Sequence, residues 1–130
     1  MGDFDGLAAR WVGRQFSGNC ADLVREIMRD EFGVELRLPQ FRGFPMSNDD
    51  VTRANMMIIT QSKLFERLTA PLPGSIALMR PAGSGARHIG MVTPGLGVLH
   101  LIDRRGYVSE TPLRRLAMIG YHVEGFYRPW

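Results

Sequence analysis

The chain has 130 residues, 45% of them hydrophobic and 22% charged, with one cysteine and a formal net charge of +3. This length and composition predict a single folded domain over residues 1–130 and exclude disordered, fibrous and disulfide-rich proteins, since one cysteine cannot close an intramolecular disulfide. No stretch approaches the roughly 20 apolar residues of a membrane helix, and the fifteen arginines are scattered, so we expect neither membrane insertion nor a nucleic-acid partner.

The N-terminal half has the residue pattern of helices. A short helix is predicted over residues 4–12. A longer helix is predicted to begin near Cys20, because Asn19 suits the N-cap and Asp22 stands where a capping box carries an acid or amide. Gly33 is a suitable C-terminal stop for this helix.

The helix that begins at Cys20 is predicted to be amphipathic, with Arg25 on its exposed face and apolar side chains on the other: Leu23, Val24, Ile27 and Met28. Residues 34–45, rich in proline, glycine and aromatics, are predicted to form a surface loop. A further helix is predicted from about residue 49 to residue 68, with Ser47 as one N-cap candidate.

The C-terminal half predicts strands. Short apolar runs bounded by glycine, proline or charge favour strands at 75–79, 88–92 and 97–102, and a final strand at 119–127. A short helix is predicted at 112–116. The sequence therefore predicts an α+β domain in which N-terminal helices pack on a C-terminal antiparallel sheet.

Cys20 is predicted to lie in the first turn of its helix. The unpaired N–H groups and the dipole at a helix N-terminus favour an anion, so we expect this thiol to ionise more readily than a free one. Such a cysteine is a candidate nucleophile. On helix position alone, the alternative is that Cys20 is a small buried hydrophobe.

His88 and His100 lie on adjacent predicted strands. If the intervening turn holds an odd number of residues, both imidazoles project from the same face, whereas an even number puts them on opposite faces. In the first case Cys20, His88 and His100 can act as nucleophile, base and orienting group of a thiol hydrolase. We expect a surface or packing role for His122.

Four segments resemble, in the same order, the motifs of the NlpC-type cell-wall cysteine peptidases: GNCADLVR at 18–25, PGSIAL at 73–78, HIGMV at 88–92 and GVLH at 97–100. The resemblance runs from about Trp11 to the C-terminus. It implies a minimal papain-like domain in which Cys20 is the nucleophile, His88 the general base and acid, and His100 the orienting residue. It implies no cofactor and no metal.

The chain departs from that family's pattern before the thiol. Many members place a tyrosine there as an oxyanion donor, beside the backbone N–H of the nucleophile. This chain has no tyrosine in that region. Either Trp11 or Phe16 only lines the cleft, or another residue supplies the oxyanion donor. Asn19 stands where the family has an aspartate, and Ser75 stands where the proline-glycine strand carries an acid.

Segments 11–14, 30–36 and 125–129 resemble one branch of the family, the small tail-associated members of bacteriophages and phage-like particles. The acidic start does not resemble a secretory signal, so we expect synthesis in the host cytoplasm and delivery in the virion tail. The resemblance implies hydrolysis of an amide bond in peptidoglycan stem peptides, with other tail or tail-tip proteins as partners. The alternative is a structural tail-tip protein that keeps the fold with little or no activity.

Overall fold

A computed structural model describes residues 6–38, 47–83, 87–102 and 105–129. Its elements in chain order are α1 (Leu7–Trp11), α2 (Cys20–Phe32), α3 (Asn48–Gln61), β1 (Phe65–Leu68), β2 (Ile76–Pro81), β3 (His88–Val92), β4 (Gly97–Leu101), β5 (Val108–Pro112) and β6 (Tyr121–Pro129). The strands form one antiparallel sheet in the order β1-β6-β2-β3-β4-β5. The predicted α+β class, with N-terminal helices and a C-terminal antiparallel sheet, is confirmed.

Helix α2 begins and ends where the sequence predicts. The Asn19 side chain accepts a hydrogen bond from the backbone N–H of Asp22 at 2.9 Å, and the Asp22 carboxylate accepts one from the backbone N–H of Asn19 at 3.4 Å. These two bonds form the predicted capping box. Gly33 ends the helix at a φ of 65°, in the left-handed region that glycine adopts without steric cost.

Arg25 of α2 is buried, so the prediction that it lies on the exposed face was wrong. Its guanidinium donates to the Asp22 carboxylate at 2.6 Å and to the backbone carbonyl of Leu38 at 2.9 Å. A buried guanidinium needs such partners, because an uncompensated charge inside a protein is costly. Arg25 therefore ties the chain that follows α2 to the helix.

The prediction of one helix over residues 49–68 was wrong at its C-terminal end. α3 is capped at its start by the Ser47 side chain and ends at Gln61, and Ser62 has an extended backbone with ψ of 162°. The chain then forms β1, which pairs with β6 so that Phe65 lies opposite Pro129. Phe65 is buried there. Pairing with a distant strand outweighs the local helical spacing of the apolar residues.

The remaining predicted elements differ from the structure mainly at their ends. The strands predicted at 75–79, 88–92 and 97–102 are β2, β3 and β4, and the final strand begins at Tyr121 instead of residue 119. The short helix predicted at 112–116 is replaced by two 3-10 turns, Leu113–Arg115 and Ala117–Ile119. In the predicted loop, residues 34–38 have no regular secondary structure and residues 39–46 lie outside the described residues, as do residues 4 and 5 of the predicted first helix.

The two faces of the sheet carry separate apolar clusters. α2 packs on the first face, where the cluster includes Leu23, Val24, Ile27, Ile76, Leu78, Ile89, Met91 and Leu99. The second face carries Ala77, Met79, Val92, Val98 and Leu116. Because side chains alternate along a strand, Ile89 of β3 faces α2, whereas His88 projects toward the second face.

Candidate active site

The pairing of β3 with β4 brings the two histidines together. Met91 lies opposite Leu99, which places His100 opposite Gly90, two residues from His88 on the same face. The odd-numbered turn between the strands therefore gives the diagonal, same-face arrangement. A Cβ atom on Gly90 would lie 3.2 Å from the Cβ of His100 and 2.9 Å from a main-chain oxygen of β4, so glycine provides the space for this approach.

A chain of hydrogen bonds runs through the histidine pair. His88 Nε2 lies 2.9 Å from His100 Nδ1, and His100 Nε2 lies 2.9 Å from the hydroxyl oxygen of Thr111 on β5. If each imidazole carries its proton on Nε2, His88 donates to His100 and His100 donates to Thr111. In this arrangement of protons, Nδ1 of His88 carries a free lone pair and can act as a base.

Burial keeps both imidazoles neutral near pH 7. It lowers the pKa of His88 to about 4. Burial, together with repulsion by a charge on His88, lowers the pKa of His100 to about 3. Both shifts follow from the cost of placing a cation in a medium that solvates it less well than water. The resting pair is therefore an uncharged hydrogen-bonded chain.

Cys20 opens α2, as predicted, but its thiol is not acidic. Burial raises its pKa above the ordinary 9.0, although hydrogen bonds from Thr52 and from the backbone of Ile89, Ala21 and Cys20 itself act in the opposite direction. The expectation that this thiol ionises more readily than a free one was therefore wrong, because loss of solvent around the sulfur outweighs the favourable groups at the helix N-terminus.

The structure brings Cys20 close to the start of β3 without joining it to His88. Cys20 Sγ lies 3.4 Å from the hydroxyl oxygen of Thr52 on α3, and it reaches β3 at the backbone of Ile89, the residue after His88. Among the described residues, no hydrogen bond connects Cys20 to either histidine. Of the three predicted site residues, the histidines form a pair, and the cysteine contacts Thr52 and the backbone of Ile89 instead.

Tyr121, at the start of β6, is a member of the cluster that sequence reasoning missed. Its ring centroid lies 4.7 Å from that of His88, with an angle of 32° between the planes, and 5.8 Å from that of His100. Burial and the negative charge of a Cys20 thiolate both raise the pKa of its phenol, so the hydroxyl is neutral. Thr52 and Thr111 were missed as well. Thr52 reaches Cys20 from α3, 32 residues along the chain, and Thr111 reaches His100 from the next strand, β5.

Three other aromatic or imidazole residues predicted from the sequence to have a role have other partners or lie at the surface. Trp11 is buried, and its indole N–H donates to the Glu31 carboxylate at 3.0 Å, so it holds α1 against the end of α2. Its donor is thus already engaged. Phe16 packs at the edge of the first cluster. His122 is exposed, which agrees with the expected surface role.

Two cavities of the described structure lie outside the cluster, since neither is lined by Cys20, His88 or His100. A cavity of about 500 Å³ lies at the C-terminal end of α2, with mostly apolar walls that include Met28, Phe32 and Leu72. A cavity of about 290 Å³ lies between α3 and the sheet, and its lining includes Arg53 and Arg87. These two arginines adjoin Thr52 and His88 in the sequence, but neither Thr52 nor His88 lines the smaller cavity.

No protein-family model matches this chain, and no curated protein matches it. In the part of the chain that the structure describes, no group of three or more histidine, cysteine, aspartate or glutamate side chains is placed to hold a metal ion. The helices within the described ranges include none that is long and apolar enough to cross a membrane.

Proposed function

We propose that this chain is a cysteine endopeptidase that hydrolyses an amide bond in peptidoglycan stem peptides, carried in the tail of a phage or phage-like particle. The observation that carries the chemistry is the buried chain His88–His100–Thr111. The single cysteine lies at the start of a capped helix and reaches the backbone of Ile89, the residue after His88. Burying two imidazoles costs stability, and pairing them orients one ring nitrogen as a base.

In the proposed reaction, Cys20 attacks the amide carbonyl while Nδ1 of His88 takes the thiol proton. His88 then gives this proton to the leaving amine, and a thioester to Cys20 remains. Water attacks the thioester, His88 takes a proton from the water, and the acid product leaves as the proton returns to the sulfur. Backbone N–H groups at the start of α2 would stabilise the oxyanion.

The protonation states favour a concerted transfer over a resting ion pair. Because burial raises the pKa of Cys20 and lowers that of His88, a thiolate facing an imidazolium is unstable before substrate binds. The proton therefore moves as the carbon–sulfur bond forms. The reaction also requires the Cys20 thiol to leave its contact with Thr52 and approach Nδ1 of His88.

The charge near the cluster favours an acidic peptide. Stem peptides carry several carboxylates, and Arg53 and Arg87 line the cavity of about 290 Å³ between α3 and the sheet. Glu124 lines the same cavity and lies 3.3 Å from Arg87. Two cations and one anion leave this wall with a net positive charge. The tail location rests on the resemblance of segments 11–14, 30–36 and 125–129 to tail-associated members.

The test is digestion of soluble muropeptides, followed by mass spectrometry of the products. Wild type is expected to release a new amine and a new acid, Cys20→Ala to release neither, and His88→Gln to be slower by about 10²–10⁴-fold. His122→Asn is the matched control, since His122 is exposed and outside the cluster. Equal product from Cys20→Ala, or no product from reduced wild type, would contradict the proposal.

A second candidate is a structural tail-tip protein that keeps this fold without turnover. One observation favours it: the thiol is buried, has a raised pKa and contacts Thr52 instead of a base. Slow alkylation of Cys20 does not separate the candidates, because a buried protonated thiol is expected in both. Turnover separates them, and wild-type protein that binds particle proteins without cleaving muropeptides would support the structural candidate.

A further inference from the structure

Among the residues that the structure describes, no carboxylate is hydrogen-bonded to His88. The titratable side chains that contact the His88 ring are His100 from β4 and Tyr121 from β6, while Met79 of β2, opposite His88, carries no charge. Cys20 of α2 reaches the backbone of Ile89, the residue after His88. The charged neighbours in sequence and space, Arg87 and Glu124, pair with each other at 3.3 Å. Within the described residues, an imidazolium on His88 would therefore depend on groups without a formal negative charge.

The ring of Tyr121 is placed to act on His88. The two rings are in contact in a tilted arrangement, with centroids 4.7 Å apart and an angle of 32° between their planes. Backbone bonds fix the position of Tyr121, since its N–H donates to the carbonyl of Leu116 at 2.9 Å and it pairs with Pro81 on β2. The face of an aromatic ring is electron-rich and attracts a cation within about 6 Å of its centroid.

We propose that Tyr121 is a positioning residue for His88, whose ring holds the imidazole in place and supports the imidazolium that forms when the thiol proton moves to Nδ1. The proposal rests on the proposed function only in taking the Cys20 thiol as the group that gives its proton to His88. The hydrogen bond to His100 fixes Nε2 of His88, and the neighbouring Tyr121 ring restricts rotation of the imidazole plane. Together they leave Nδ1 as the nitrogen that exchanges a proton.

The test is an NMR titration of the His88 ring, carried out without substrate on protein with isotopically labelled histidine. Tyr121→Phe keeps the aromatic face, and the pKa of His88 is expected to stay at its wild-type value. Tyr121→Leu keeps a bulky apolar cover and removes the face, and the pKa of His88 is expected to fall by roughly 0.5 to 1 pH unit. Val123→Ala, on the same face of β6, is the matched control and should change nothing.

Two results of the titration would overturn the proposal. If the pKa of His88 rises in Tyr121→Leu, the ring acts only by excluding water, and if it is unchanged, the ring does not support the cation. Either result overturns the proposal. Tyr121→Met carries the same prediction and replaces Tyr121→Leu if that variant does not fold. Because the titration needs no turnover, its result stands apart from the muropeptide assay, and a protein without peptidase activity would not decide it.

Discussion

Lowering the pH from 7.5 to 5 should destabilise the fold by about 4 kcal/mol through His88 and His100. In the folded protein their pKa values are about 4 and about 3, against an ordinary value of 6.5. Between these limits the unfolded chain binds protons that the native state excludes, so the free energy of unfolding falls as the pH falls. The contribution is fully present above pH 6.5 and is lost progressively toward pH 4 and pH 3.

The magnitude follows from the size of the two shifts. A difference of one pKa unit corresponds to roughly 1.4 kcal/mol. A pH of 5 is about 1.5 units below the ordinary histidine pKa, at which the unfolded chain takes up its protons. Each therefore contributes about 2 kcal/mol of the loss. Both side chains are buried, so screening by solvent does not reduce this figure much. A loss of about 4 kcal/mol is a large part of the stability of a typical domain.

The assay is urea unfolding at constant ionic strength at pH 7.5, 6.5, 5.5 and 5, followed by far-ultraviolet circular dichroism. His100→Asn should reduce the loss to about 2 kcal/mol, since one buried imidazole remains. His122→Asn, which removes an exposed histidine, should leave the wild-type slope unchanged. Comparing variants cancels the titration of carboxylates. A flat wild-type profile, or an equal effect of His122→Asn and His100→Asn, would refute the reasoning.

Three further predictions concern the surroundings of the site. Gly90→Ala should lower the free energy of unfolding by roughly 1–3 kcal/mol, because the new Cβ would lie 2.9 Å from a main-chain oxygen. Gly95 has open space around it, so Gly95→Ala should cost under about 0.5 kcal/mol in the same urea assay. Thr52→Val should raise the pKa of Cys20 further, because the thiolate loses one hydrogen bond. The pH dependence of Cys20 alkylation measures this pKa, and a lower pKa in the variant would contradict the prediction. Asn19→Ala should destabilise α2 by about 0.5–2 kcal/mol in thermal unfolding, and no loss would show that the capping box contributes little.

The features that the sequence predicts well depend on neighbours in the chain. Asn19 and Gly33 mark the ends of α2 because capping uses residues within one turn. For His88 and His100 the sequence limits the outcome to two cases set by the parity of a short turn, and the register of β3 with β4 gives the same-face case. Local rules therefore account for the helix that carries the thiol and limit the histidine pair to two arrangements.

The features that the sequence did not predict depend on distant contacts. The apolar residues at 65–68 are compatible with a helix as well as a strand. They form strand β1 because they pair with β6. Arg25 is buried because Leu38 offers it a carbonyl. Tyr121 contacts His88 because β6 pairs with β2 through a β-bulge, and no local sequence pattern predicts this pairing. The thiol of Cys20 is less acidic than expected because burial depends on the whole fold.

The most direct test of the central claim, that Cys20 is the nucleophile, is to trap the acyl-enzyme. Reduced protein is mixed with a stem peptide, quenched in acid after milliseconds to seconds, and weighed intact by mass spectrometry. Since the chain has one cysteine, an added mass equal to the acyl fragment in wild type, and absent from Cys20→Ala, locates the thioester. That is the predicted result. Product formation without any adduct on wild type, or the same adduct on Cys20→Ala, would contradict it.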